Sequence, residues 1–300
     1  MKLPLLSILA LLFLPMTGHS QTGKAVKLEW KFKEGEKFWI DTYTRVEQAE
    51  RVGNQNAANV LVVRTITSYT VKKVTESNYV DLEAKIESAR YENNQTPDSQ
   101  RMAALYARLQ GAVFKMTLSP DNQIQRLDGY QEWLQKLSTA IPVAEMDRIR
   151  LLIPETDLRN AVNEGFGFLP EKEVRLNQSW KKKSELNLAP AGVLTCMLNY
   201  TYKGPEKGKE KITIDCKEQG TFTMNTAMVA PGSQSTFYLD NRTGTILFNN
   251  QTGKAESVEH LYQTRGTITI PATPTTGPSI MQVVNKITVK QTITLKAPTK

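Results

Sequence analysis

The sequence predicts an α+β protein: mostly antiparallel β-sheet from two related halves, in the geometry of a curved, incomplete barrel, with helices concentrated at 98–165. Three observations carry this. Most of the chain consists of runs rich in Val, Ile, Thr and Tyr that alternate apolar with polar residues between Gly, Pro and Asn turns, the pattern of half-buried antiparallel strands. The text also repeats. Tyr69-Thr70-Val71-Lys72, a polar turn and the run from Tyr79 to Ile86 are matched by Tyr200-Thr201-Tyr202-Lys203, a Gly/Lys turn and the run from Lys211 to Cys216. Phe114 to Asp121 with Ile124 is likewise matched by Phe237 to Asn241 with Ile246, and two halves built to one plan point to duplication. Finally, the apolar period turns helical between 98 and 165.

Residues 1–20 read as a signal peptide: Lys2, a mostly apolar stretch over 3–14, and the small residues Gly18 and Ser20 before a cut at Gln21. The stretch is shorter than the roughly 20 residues of a membrane span. No cysteine near the cut could take a lipid anchor, and no later segment is apolar enough to cross a bilayer. The mature chain is therefore expected to be exported, periplasmic or secreted, with halves at 21–165 and 166–300.

In the first half, strands are expected at 28–32, 37–48, 60–74 and 79–91, with a polar loop at 54–59. A helix from 98 presents Met102, Leu105, Tyr106 and Leu109 on one face and ends at Gly111. Strands follow at 113–118 and 124–127, around a turn at 119–122. A second helix presents Tyr130, Trp133, Leu134 and Leu137. Pro142 opens a third helix, to about 152. Pro154 opens a fourth, with Leu158, Ala161 and Val162 inward and Gly165 closing it. In the second half, strands are expected at 180–188, 194–202, 210–216, 220–229, 235–239, 245–249, 255–270 and 281–295, with hairpin turns at 203–208 and 240–244.

The two cysteines, Cys196 and Cys216, imply one disulfide in an exported protein. Folding the hairpin about residue 206 sets them opposite one another. Closing that loop would stabilise by about 3 kcal/mol in the chain-entropy model.

The formal charge of +8 is spread along the chain, with small clusters at Lys181 to Lys183 and around Lys203 to Lys211. It fits attraction to an anionic polymer and equally the solvated faces of ordinary strands. No nucleic-acid motif accompanies it, so nucleic acid is not an expected partner. Once residues 1–20 are removed, His260 is the only histidine, and a zinc site of the usual kind needs several ligands. There is no nucleophile elbow and no phosphate-binding loop, and oxidised cysteines are not nucleophiles. No enzymatic activity, cofactor or metal is expected. Glu29, Glu36, Asp41 and Glu47 crowd one meander, as a glycosidase pair would and as solvated strand carboxylates also do. Asp121 and Asp240 read as turn formers rather than calcium ligands.

The helical stripes carry aromatics and should pack on the sheet. If the sheet curves round them and leaves a gap, Met102, Leu105, Tyr106, Trp133, Leu134 and Leu137 would line a cleft. The leading expectation is a non-enzymatic envelope protein that binds a lipid or other apolar or amphiphilic ligand there. The alternative is a structural or interaction module that presents a sheet surface to another envelope protein or an anionic polymer.

Three stretches add a resemblance: Leu28 to Phe38 (LEWKFKEGEKF), Gly167 to Val174 (GFLPEKEV) with Gln178-Ser179-Trp180, and Tyr200 to Gly204 (YTYKG). Together they resemble an exported bacterial family catalogued as a domain of unknown function. The resemblance spans about 28–295. It implies export and a β-rich fold, and brings no activity or functional residue. The chain departs from the pattern at Asn177, where glycine is expected.

Overall fold

The computed structural model describes residues 24–298 apart from 93–96, 140, 142–145, 147–148, 151–152, 189–190, 217, 219, 226–231 and 273–276. The expected signal peptide and most of the helix expected at 142–152 lie outside the described residues. The elements in chain order are β1 (Lys37–Val52), β2 (Gln55–Val74), β3 (Val80–Glu92), α1 (Pro97–Ala107), β4 (Val113–Leu118), β5 (Ile124–Asp128), α2 (Tyr130–Ser138), α3 (Glu155–Phe166), β6 (Ser179–Asn187), β7 (Gly192–Glu206), β8 (Lys209–Asp215), β9 (Thr221–Met224), β10 (Gln234–Asn249), β11 (Lys254–Ile270) and β12 (Ser279–Thr294).

The strands form one sheet in the order β5-β4-β3-β2-β1-β12-β11-β10-β8-β7-β6, with β9 added beside β7. All pairings are antiparallel. The chain runs outward from β1 to one edge, crosses through the helices to the other edge, and returns strand by strand until β12 pairs with β1. The two sequence halves are thus joined in a single sheet.

Both free edges meet α3. On one side Asn163 Oδ1 accepts the backbone N–H of Ile124 in β5 at 2.7 Å. On the other, Asn160 Nδ2 donates to Glu185 of β6 at 2.9 Å and Ser184 Oγ donates to Glu164 at 3.0 Å. The sheet is therefore curved and open, and a helix stands between β5 and β6.

Alternation assigns the two faces. Phe38, fully buried, packs its ring 6.4 Å from Phe166 of α3, so every second residue of β1 from Phe38 faces the helices. The opposite face carries ion pairs such as Asp41–Arg64 (2.5 Å) and Glu259–Lys290 (3.4 Å), which matter more for solubility than for stability. At one end of the inner face Trp30, Phe32, Phe38, Tyr69, Phe166 and Phe248 form an aromatic cluster, with Trp30 and Phe166 5.1 Å apart. At the other end sits a smaller cluster of Ala191, Phe237 and Val283.

Several expectations are corrected. Residues 28–32 are not a strand: only Val26 makes a bridge, to Val174. Leu28 and Trp30 are buried because the segment crosses the end of the sheet, with the Trp30 indole donating to Phe166 O at 2.7 Å. Burial of one face produces the same alternation as a ladder. The loop at 54–59 is mostly strand, since β1 and β2 are joined through Gly53 and Asn54 alone and pair out to Val52–Gln55. Residues 240–244 are no hairpin turn. They lie within β10: Asn241 to Gly244 pair with β11, Thr243 and Gly244 also pair with β8, and a bulge between Leu239 and Asn241 absorbs the turn-like sequence. In α3, Ala161 is exposed and the helix runs on through Gly165 to Phe166, with Gly167 as its cap.

The β7–β8 hairpin also differs from expectation. Lys207 (φ 50) and Gly208 (φ 76) make a two-residue turn with both φ positive, and a bulge follows between Tyr202 and Gly204. Asn199 therefore faces Asp215, and continuing that register places Cys216 across from Leu198 rather than Cys196. Asn177, where glycine was expected, has φ 63. The position demands a left-handed residue, which Asn tolerates better than most.

Candidate functional site

The inner face between the two apolar clusters is polar. The bulge in β10 shifts its phase, so that Arg242 rather than Asn241 points inward, across from Tyr262. The Arg242 guanidinium is almost completely buried and is paired with Glu164 of α3. It also donates to Ser184 Oγ (2.6 Å), Tyr262 OH (3.1 Å) and Cys196 Sγ (3.5 Å), and it lies 4.4 Å from the centre of the Tyr262 ring. Tyr262 OH donates in turn to Glu164 at 3.3 Å. Burial, with Glu164 close by, raises the Tyr262 hydroxyl well above its ordinary pKa, so it stays a proton donor. The group ties α3 to β6, β7, β10 and β11 at once.

His260 lies beside this cluster, its ring 5.7 Å from Tyr262. It is opposite Gly244, where an added Cβ would come within 3.1 Å of the imidazole and 2.5 Å of Glu259 O. The missing side chain makes room for the ring. Burial lowers the His260 pKa to about 4, against the opposing pull of Glu164. Its Nδ1, like Arg242 Nε, has no hydrogen-bond partner among the described residues. Thr264 and Asn285 extend the polar belt, joined at 3.3 Å.

Beside the belt, on the next strands of the same sheet, the inner wall is partly accessible. Thr42, Thr44 and Val46 of β1 and Ile287, Val289 and Gln291 of β12 face inward but remain half-exposed, whereas Phe38 on the same face is sealed. The inner surface thus passes from a packed aromatic end to an open trough.

The residues singled out from sequence are dispersed around this trough. Leu105, Trp133, Leu134 and Leu137 are buried in the main core, and Met102 and Tyr106 pack against it half-buried. Tyr106 lies 5.7 Å from Tyr91 of β3, whose cross-strand neighbour is Val63 on the inner face. Trp133 and Leu137 border a separate cavity of about 360 Å³ beside Gly111 and Gly129. A wider groove of about 710 Å³ lies at the aromatic end, where Lys27 is paired with Glu29 at 2.5 Å and Lys182 with Glu171 at 3.9 Å.

Both cysteines are thiols in the structure. Burial and the neighbouring Cys196 push the Cys216 thiol up to about 11. Asp41 and Glu47, paired with Arg64 and Arg45, lie on the outer face. Six residues of strand put them roughly 20 Å apart, too far for a glycosidase pair. Glu36 instead neutralises buried Lys254 at 3.0 Å. Among the described residues, no group of three His, Cys, Asp or Glu side chains could hold a metal ion. No described helix is long and apolar enough to cross a membrane.

Sequence reasoning did not find the belt. Arg242 falls in an expected turn, and the strand expected over 255–270 carries no assignment of its inward side, which holds Val258, His260, Tyr262 and Thr264. The available signal was the alternation Val-x-His-x-Tyr-x-Thr-x-Gly itself, which keeps a two-residue period while turning polar.

A curved, mostly antiparallel open sheet with a helix at its seam is thus the class of protein. The chain belongs to a family of unknown function (DUF6263), whose model matches residues 66–254. No curated protein matches it. Among solved structures it is similar to the outer membrane protein OprG from Pseudomonas aeruginosa, at 7% identity over 89% of this chain and 99% of that one, with a TM-score of 0.21. It is also similar to the MucA/MucB complex of the same organism (8% identity, 82% and 88% covered, TM-score 0.15). An outer membrane channel from Pseudomonas putida F1 follows (8% identity, 88% and 97% covered, TM-score 0.13). At such scores nothing about fold or function carries across.

Proposed function

We propose that the chain is an exported, non-enzymatic protein of the cell envelope, periplasmic or secreted, that holds an apolar or amphiphilic molecule between the inner face of its sheet and its helices. The observation that supports this most directly is the half-exposed inner wall of β1 and β12, next to the Arg242 belt on the same face of the sheet. In a filled barrel those side chains would be as buried as Phe38. Met102 and Tyr106 are the members of the expected lining that stay partly accessible, and they form the rim on the α1 side. Leu105, Trp133, Leu134 and Leu137 support them from the core. Oxidation in the envelope joins Cys196 to Cys216, which share the inner face of neighbouring strands.

The test is mass spectrometry of the mature protein purified gently from its own envelope, first native and then solvent-extracted. A stoichiometric lipid or other amphiphile is expected. A clean apo mass, from protein that also takes up no Nile red, would end the ligand reading.

A second reading, an interaction module, is favoured by one outer-face feature. Val284 (53% exposed), Arg265 and Tyr238 (42% exposed) stand side by side across β12, β11 and β10, and Ile280 (57% exposed) lies further along β12. That surface would be the place to look for a protein partner.

A further inference from the structure

We propose that the trough selects a neutral amphiphile, such as a long-chain alcohol or a monoacylglycerol, over a fatty-acid anion; this rests on the ligand-binding reading above. The argument is the segregation of charge between the two faces of the same strands. The accessible inward positions, Thr42, Thr44 and Val46 of β1 and Ile287, Val289 and Gln291 of β12, alternate aliphatic groups with hydroxyls and an amide and carry no charge. The outward positions between them carry Asp41, Arg45, Glu47, Lys286 and Lys290. A chain with a formal charge of +8 has thus kept its cations off the trough wall.

The cation in the neighbouring belt is neutralised already. Arg242 is paired with Glu164, its Nη1 and Nη2 contacts go to Ser184, Tyr262 and Cys196, and its one unpartnered donor, Nε, is buried among them. The second buried cation, Lys254, is matched by Glu36 at 3.0 Å and enclosed by Phe32 and Phe38. A carboxylate entering the trough would lose its water without gaining a counter-charge, and Glu164 would repel it. A hydroxyl or ester head would lose little, because Thr hydroxyls and the Gln291 amide both donate and accept hydrogen bonds.

The experiment uses the mature chain stripped of lipid and loaded with Nile red, a neutral dye. Displacement by monolauroylglycerol is compared with displacement by laurate, which has the same acyl chain, at pH 8. Monolauroylglycerol is expected to bind at least about tenfold more tightly, the factor that corresponds to about 1.4 kcal/mol. Equal or tighter binding of laurate would overturn the neutral selection and leave the ligand-binding reading standing. Failure to take up dye or either lipid would overturn both. Thr44→Lys places a cation on the half-exposed wall without touching the belt, and is expected to shift the preference about tenfold toward laurate. A variant that folds, binds and shows the unchanged preference would show that charge in the trough does not set the choice.

Discussion

Arg242 shows how one residue can commit a fold. A guanidinium with 1% of its side chain exposed is tolerable only because Glu164 cancels its charge and Ser184, Tyr262 and Cys196 accept from its Nη1 and Nη2. Such a pair adds little net stability compared with apolar side chains of the same size, but losing one partner typically costs about 3–5 kcal/mol. His260 makes the same point through protons. Its pKa falls from the ordinary 6.5 to about 4, so between those values the unfolded chain binds a proton that the folded chain refuses. The contribution of the buried neutral ring is complete above pH 6.5 and is lost as pH falls toward 4, roughly 3 kcal/mol in all. His260→Gln should remove this part of the acid sensitivity. In urea titrations at pH 7 and pH 4, the stability gap between the two pH values is expected to be smaller in the variant. Parallel losses would mean that the ring is not held neutral.

At the scale of elements, α3 is the piece that makes the open sheet work. Its first turn carries Glu155 and Asp157, which suit a helix N-terminus, and its polar side chains reach β5 and β6 in turn. Gly165 lies within it, and a Cβ there would meet nothing within 4 Å. Gly165→Ala should therefore stabilise by about 0.5–1 kcal/mol through helix propensity alone. Gly129, ahead of α2, is the opposite case: its φ is 99 and a Cβ would lie 2.4 Å from Val113 O. Gly129→Ala is expected to destabilise by about 2 kcal/mol or more. Urea midpoints of the two variants should move in opposite directions from the parent, and a shift of Gly129→Ala toward higher urea would contradict the tight β4–α2 junction.

At the scale of the whole molecule, chain order translates almost directly into strand order: β3 reaches β4 through α1, β5 reaches β6 through the crossover that carries α2 and α3, and β9 leaves the path to pair with β7. The disulfide is the open element at this scale. Intact mass before and after reduction should differ by the two hydrogens of one bridge. An unchanged mass would mean that the two-residue difference in hairpin register keeps the sulfurs apart in the mature protein.

What was legible, and what was not, follows from the range of the forces involved. Strands at 113–118 and helix α2 were placed correctly because local alternation and helical period decide them. Residues 28–32 and 240–244 were misplaced for a common reason: burial against a distant partner and pairing by two neighbouring strands override local turn and strand signals. Local helical period marked Met102 and Tyr106 as the inward side of α1, which packs on the core, but nothing local marked the Arg242 belt. That belt depends on a one-residue bulge, which reverses the inward and outward sides of a strand. The sequence by itself determined an antiparallel, strand-rich chain with helices at its centre and membership in its family. The tertiary structure alone decided that both sheet edges meet one helix, that a cation lies buried in the middle, and that the wall beside it is partly accessible and uncharged. Those features are set by contacts between residues up to 249 positions apart, and local sequence patterns do not report them.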